Sequence, residues 1–275
     1  RRHTRYISVT GVQTCALPIL AQAGDAARGA TAYVTLEPCA HHGKTPPCAG
    51  ALVKAGVARV VSAIEDPDPR VKGQGHAMLR AAGIAVEVGE GADEAARINE
   101  GFFLRVREGR PLVHLKLATS LDGQIATASG DSKWITGEAA RAHAHYQRAT
   151  HDGILVGAGT ARADDPELTS RLPGLSRHSP VRIVLDSKAS LSPQSKLAQT
   201  ARQTPVWVVC LEGADTRALE ACGVEILRVA AMDAGLALKA LGARGLTRVM
   251  VEGGSEIAAN LLAAGLVDRL SLYRA

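Results

Sequence analysis

The stretch from Ala32 to Ala55 reads AYVTLEPCAHHGKTPPCAGALVKA. Its opening, Ala32–Leu36, holds β-branched and aromatic residues and predicts a strand. Its close, Cys48–Ala55, is small and aliphatic and predicts a helix that Gly56 stops. The polar loop between them carries Cys39, His41, His42 and Lys44, with Pro38 before the first cysteine and Pro46-Pro47 before the second. Thiolates are soft ligands that bind zinc well, so Cys39 and Cys48 are candidate metal ligands. The alternative is a pair of unmetallated cysteines in an ordinary core.

The same strand–helix alternation runs outward from this stretch. Leu20–Gly29 is alanine-rich and reads as the tail of a helix. Strands are expected at Ala58–Ile64 and Ile84–Val88, with helices at His76–Ala82 and Ala92–Val106. Gly109-Arg110-Pro111 reads as a domain boundary. Beyond it, strands are expected at Leu112–Ala118, Gly153–Gly157, Val181–Asp186, Val206–Leu211, Val224–Val229, Arg248–Glu252 and Arg269–Tyr273. Helices are expected at Glu138–Ala149, Asp215–Ala221, Met232–Leu241 and Ser255–Ala264, and a long loop at Ala158–Pro180. Such alternation indicates α/β architecture, with parallel sheets covered by helices.

At 275 residues the chain has room for two cores. With 46% hydrophobic and 21% charged residues it reads as globular. The net charge of +5 suits phosphorylated small molecules. An aromatic content of 3% argues against stacking platforms for single-stranded nucleic acid. No apolar run reaches ~18 residues, so no membrane partner is expected. Five cysteines without framework spacing read as a reducing, cytoplasmic setting.

The second half carries four polar blocks. His114–Gly123 ends a strand in a short turn, and Ala128–Gly137 follows. Ile154–Thr160 joins Ala163–Arg171. Val249–Ser255 is a strand, a double glycine and a helix start. Two glycines let backbone N–H groups approach a phosphate, and a helix N-terminus adds its positive dipole end. The block is not the G-x-G-x-x-G dinucleotide fingerprint.

Pro38-Cys39 after a strand, with a second cysteine opening a helix, matches part of the zinc-deaminase signature H-x-E … P-C-x-x-C, at a longer gap. The pattern E-P-C-x-H-x-G-x-T-P-P-C resembles the bifunctional riboflavin-biosynthesis family, in which a pyrimidine deaminase is joined to a uracil reductase. The resemblance continues through Glu65–Gly75 and the whole second half, to about Tyr273. It implies a cytidine-deaminase-like three-layer domain, incomplete here, over 20–109, and a dihydrofolate-reductase-like domain over 110–275. It implies NADPH as cofactor, contacted by Ala118, Trp134, Thr160, Asp164, Ser187, Gly254, Ser255, Glu256 and Asn260. It implies a phosphorylated pyrimidine substrate held by Ser132, Arg148, Leu168, Arg171 and Glu252. His42 and Lys44 would line the deaminase pocket, although His41 or His42 could instead complete a local zinc site with Cys39 and Cys48. The implied reductase reaction moves a hydride from NADPH to the ribosyl C1′ and leaves a ribitol chain.

In this family the third zinc ligand and the proton shuttle come from an upstream His-Ala-Glu. The one histidine before Cys39 here is His3, and no glutamate precedes Glu37. No deaminase activity is therefore expected from the polypeptide as given. Residues 1–19 read as a foreign leader, against a targeting segment ending at Ala21-Gln22-Ala23, and the family's pattern continues past Ala275. Two other readings stand beside the reductase: a nucleic-acid or nucleoside deaminase, and a non-catalytic zinc module. Homo-oligomerisation is left open.

Overall fold

The computed structural model describes residues 16–42, 46–129, 132 and 134–275. His3, Lys44 and residues 1–15 of the expected leader lie outside the described residues. The described chain divides into two units, one ending at Arg107 and one running from Glu108 to Ala275.

The first unit holds three parallel strands in the order β1-β2-β3: β1 (Thr31–Val34), β2 (Arg59–Ser62) and β3 (Ala85–Val88). Its helices are α1 (Ala16–Ala23), α2 (Cys48–Ala55), α3 (Gln74–Ala81) and α4 (Ala92–Glu108). Ala49, Leu52, Val57, Val60, Leu79 and Ile84 form its core, so α2 and α3 seal against β2. The expected stop of α2 is realised by Gly56, whose φ of 70° closes the helix in a left-handed cap.

The second unit is a seven-stranded, all-parallel sheet in the order β10-β4-β9-β5-β6-β7-β8. Its strands are β4 (Leu112–Thr119), β5 (Gly153–Gly157), β6 (Val181–Leu185), β7 (Val206–Leu211), β8 (Glu225–Val229), β9 (Arg248–Val251) and β10 (Arg269–Arg274). Alternation along them feeds two cores. Leu115, Leu155, Ile183, Trp207, Val209 and Val249 face α9 (Ala234–Ala243) and α10 (Ser255–Ala263). Ile154, Val156, Val184, Val206 and Val208 face α6 (Ala158–Asp164), α7 (Lys196–Gln199) and α8 (Arg217–Cys222). Parallel strands buried on both faces read as continuous apolar runs, as VRIVL and VWVVCL do here.

The sequence expectation of an unbroken loop over Ala158–Pro180 is corrected. Ala158–Asp164 is helical, and Ser176–His178 forms a short 3₁₀ turn. Gly157 ends β5 with extended backbone and the helix starts at the next residue, a turn too short to leave a loop signature. Helix α7 was likewise not foreseen; it is one turn long, and Ser195 caps it by accepting from the Ala198 amide. Helix α5 (Glu138–Ala149) has the expected bounds.

Strand order places the ligand edge. The chain steps from β5 outward to β8, then returns to insert β9 between β4 and β5. In open parallel sheets the crevice lies outside the carboxyl ends, where the winding reverses. Those ends here are Thr119, Val251 and Gly157, which adjoin the quoted polar blocks.

Candidate functional site

At this edge the β9–α10 turn lies against the β5–α6 turn. A Cβ on Gly253 would sit 3.4 Å from the Val156 Cα, and one on Gly157 would sit 2.8 Å from Ile257 Cδ1. The Gly254 amide donates to Thr160 Oγ1 at 3.1 Å, joining two predicted cofactor residues. Gly254 is the N-cap of α10 and has no side chain to cap it. Gly254, Ser255, Glu256 and Asn260 are all exposed. An uncapped helix start approached by glycine backbone fits the phosphates of a dinucleotide.

Of the other expected cofactor residues, Ala118 is half-buried near the end of β4, and Ser187 lies two residues beyond β6. Asp164 is the exposed last residue of α6. Trp134 is 72% exposed, and the Arg141 guanidinium lies over its ring at 4.8 Å. Such a ring is free to stack on an aromatic ligand. Ser132 is exposed beside it.

The predicted substrate residues Arg148 and Glu252 meet each other. Arg148 Nε and Nη2 donate to the two oxygens of Glu252 at 2.6 and 2.8 Å, and Nη1 donates to the Thr169 carbonyl at 3.1 Å. One α5 guanidinium thus ties the end of β9 to the Leu168–Arg171 segment. A paired Arg148 keeps two of its five N–H donors for other acceptors.

That segment is held from several sides. Arg182, fully buried, donates to the Glu167 carbonyl at 3.2 Å and to three acceptors on Thr200 and Thr204. Burial pushes its pKa down to about 10, which leaves it charged near neutral pH. Ser170 Oγ donates to the His145 carbonyl at 3.0 Å, and the Ser170 amide donates to Ser179 Oγ at 3.2 Å. Leu168 has a φ of 54° and its side chain is 4% exposed. A left-handed leucine persists only where its surroundings enforce it. Its side chain belongs to the core, so contact with a ligand falls to its backbone. Arg171 is exposed, and its guanidinium pairs with Glu167 at 2.9 Å.

In the first unit, the Cys48 amide donates to Cys39 Sγ at 3.3 Å, and neither cysteine is in a disulfide. The Cys39 pKa is lowered to about 6, first by the hydrogen bond from the Cys48 side chain, with the Cys48 amide and His41 assisting against burial. A lowered thiol adjoining a second sulfur suits a soft metal. Among the described residues the one three-ligand cluster is Glu37, Glu65 and His76, so no third His, Cys, Asp or Glu closes on the cysteine pair. Two thiols alone do not complete a zinc site. His42 is exposed on this loop, and the His41 Nδ1 is buried without a hydrogen-bond partner.

Glu37 turns out to be the anchor of that loop, a role sequence reading did not assign. Its buried carboxylate accepts from four backbone amides: Asp66 at 3.2 Å, Gly73 at 2.9 Å, Gly75 at 2.9 Å and His76 at 3.2 Å. A Cβ on Gly75 would fall 1.9 Å from the Pro38 carbonyl oxygen, so only glycine fits. The available signal was a glutamate directly after a strand, facing a glycine-rich loop. With its lone pairs spent on amides, Glu37 is a poor metal ligand, and the Glu37–Glu65–His76 cluster reads as structural.

Comparison with known proteins follows the same division. The RibD C-terminal domain family matches residues 111–275. The riboflavin biosynthesis protein RibD of Bacillus amyloliquefaciens is 45% identical over 256 residues, covering 91% of this chain and 68% of that protein. Among solved structures, Acinetobacter baumannii RibD is similar with a TM-score of 0.84 at 41% identity, over 93% of this chain and 71% of that one. A Thermotoga maritima diaminohydroxyphosphoribosylaminopyrimidine deaminase/5-amino-6-(5-phosphoribosylamino)uracil reductase matches with a TM-score of 0.78 at 36% identity, over 92% and 69%. The β-α alternation, the crevice at the carboxyl edge and these likenesses lead to one assignment: the chain belongs to the RibD family of riboflavin biosynthesis proteins.

Proposed function

We propose that the second unit is an NADPH-dependent reductase that converts 5-amino-6-(5-phosphoribosylamino)uracil to its ribityl form. The observation that carries this reading is the meeting of separate sequence blocks at one carboxyl edge. The Thr160–Gly254 bond joins two cofactor candidates, and the Arg148–Glu252 pair joins two substrate candidates. Trp134, Thr160 and the start of α10 would hold the dinucleotide, with Ala118, Asp164 and Ser187 completing its wall. Arg171 would meet the substrate phosphate, since its planar fork suits bidentate contact and its partner Glu167 is itself exposed. Glu252 would accept from pyrimidine N–H groups through lone pairs that Arg148 leaves unused.

NADPH supplies the hydride when bound. The chain's own residues then bind, align and neutralise: a pinned Leu168–Arg171 backbone and a paired Glu252 are fixed before the substrate arrives, which reduces the entropy to be lost at the transition state.

For the first unit we infer a cytidine-deaminase-like domain over 20–109, of which this polypeptide carries two thiol ligands and no His-Ala-Glu. The expected bound set is NADPH and the small phosphorylated substrate, with no nucleic acid. No helix of the described residues is long and apolar enough to cross a bilayer.

The test is direct. Purified protein incubated with NADPH and 5-amino-6-(5-phosphoribosylamino)uracil should consume NADPH and form the ribityl product in equal amounts. Binding of zinc without any NADPH binding would instead favour the non-catalytic zinc module.

A further inference from the structure

We propose that His145, which has no assigned role above, is a positioning residue of this reductase: its ring sets the backbone from which Arg171 reaches the substrate phosphate. The proposal rests on the reductase reading. His145 lies one helical turn before Arg148 on α5, so the two side chains leave the helix on the same face. Both reach the same stretch of loop. Arg148 Nη1 donates to the Thr169 carbonyl at 3.1 Å, and His145 Nδ1 lies 3.2 Å from that same oxygen. The Arg171 amide donates to His145 Nδ1 at 3.3 Å, and Ser170 Oγ returns a bond to the His145 carbonyl at 3.0 Å. Three consecutive loop residues, Thr169, Ser170 and Arg171, therefore each lie within hydrogen-bond reach of one histidine, with Thr169 and Arg171 sharing its Nδ1.

The ring's protonation decides which tie holds. Bare Nδ1 accepts from the Arg171 amide; protonated Nδ1 can donate only to the Thr169 carbonyl and must release Arg171. The groups facing the ring are Arg148 on α5, Arg171 on the loop and Glu252 at the end of β9. Burial first, then the two guanidinium groups, push the His145 pKa down, while Thr169 and Glu252 act the other way. The neutral ring is thus favoured near neutral pH, and with its proton on Nε2 it holds Arg171. Glu167, the partner of Arg171, is exposed and would yield to a phosphate.

The experiment compares wild type, His145→Ala and His145→Asn in steady-state kinetics and NADPH binding. The Asn Oδ1 takes the place of Nδ1 as an acceptor for the Arg171 amide, but it does not titrate. His145→Ala should raise KM for the phosphorylated substrate roughly tenfold, with kcat within about twofold and NADPH affinity unchanged, as for supports of ligand-binding groups. His145→Asn should restore most of that loss. As pH falls from neutral, the ratio of wild-type KM to His145→Asn KM should rise, because substrate phosphate titration is common to both. An alanine variant with wild-type KM, an asparagine variant as impaired as alanine, or a ratio flat with pH would each overturn the proposal. If His145→Ala does not fold, the asparagine comparison and the pH ratio still decide. Wild-type protein that consumes no NADPH would count against the reductase reading itself, a result distinct from any failure at His145.

Discussion

Arg148 and Glu252, 104 residues apart in the chain, form a two-bond pair in which neither side chain exceeds 14% exposure. Sequence reading put both beside the substrate as independent ligands. Their pairing makes each the other's support. Removing one charge from a pair this sheltered strands the other, at a cost of about 3 kcal/mol or more. Glu252→Gln and Arg148→Met should each lower the unfolding free energy by that amount, read as a lower denaturant midpoint at unchanged slope. The double variant Arg148→Met/Glu252→Leu should recover much of the stability and none of the turnover. Additive losses in the double variant would mean the pair is not coupled.

Trp134 offers a clean signal, because the chain has two tryptophans and the other, Trp207, is fully buried. NADPH should quench the exposed indole by stacking or energy transfer. Trp134→Phe should remove that quench, and Trp134→Ala should weaken NADPH about fivefold, in line with an aromatic contact of ~1 kcal/mol. Quenching that survives in Trp134→Phe would place the nicotinamide dinucleotide elsewhere.

In the first unit, Glu37→Gln should be strongly destabilising even though its volume hardly changes. Four amide donors lose a shared anion, and charge-assisted bonds are worth ~1.5–3 kcal/mol each when broken singly. Gly75→Ala should do as much by collision with Pro38. Loss of secondary structure in the first unit, followed by hydrogen exchange of residues 59–62 and 74–81, reads the effect. Protection unchanged in both variants would contradict the anchor role.

The second unit should weaken in mild acid. His151 Nδ1 is 2.7 Å from the Gln147 carbonyl and must donate, so its Nε2 accepts from His114 Nδ1 at 3.1 Å. His114 Nε2 then accepts from Ser271 Oγ at 2.8 Å, and Ser271 accepts from Gln147 Nε2 at 3.0 Å. This closed circuit joins α5, β4 and β10. Burial first, then Arg269, His143 and Arg248, push the His114 pKa down. A folded pKa below the unfolded value means the unfolded chain takes protons first, so stability is present above ~6.5 and lost as pH falls toward the folded value. Urea unfolding at several pH values should show this slope, and His114→Gln should flatten it. In the first unit Asp66 acts oppositely. Its pKa is raised to about 6, chiefly by burial, so acidification below that value relieves its cost.

How much of this was legible beforehand follows from range along the chain. Apolar runs such as VRIVL and VWVVCL announced their strands, and Gly56 announced the end of α2, because those signals are local. Glu37 and His145 were passed over because their partners lie 29–39 and 24–26 residues away. Helix α6 was read as loop because its seven residues bury only Ala161, too little for a helical period to show. Leu168 was assigned to the substrate without any sign that its side chain would be turned into the core.

The most direct test of the central claim is a paired kinetic and binding measurement on Arg171→Ala, whose exposed ion pair contributes little to folding. The reductase account predicts normal NADPH affinity with KM for 5-amino-6-(5-phosphoribosylamino)uracil raised by roughly a hundredfold, the loss of a charged phosphate contact. Equal weakening of cofactor and substrate, or unchanged KM, would contradict it.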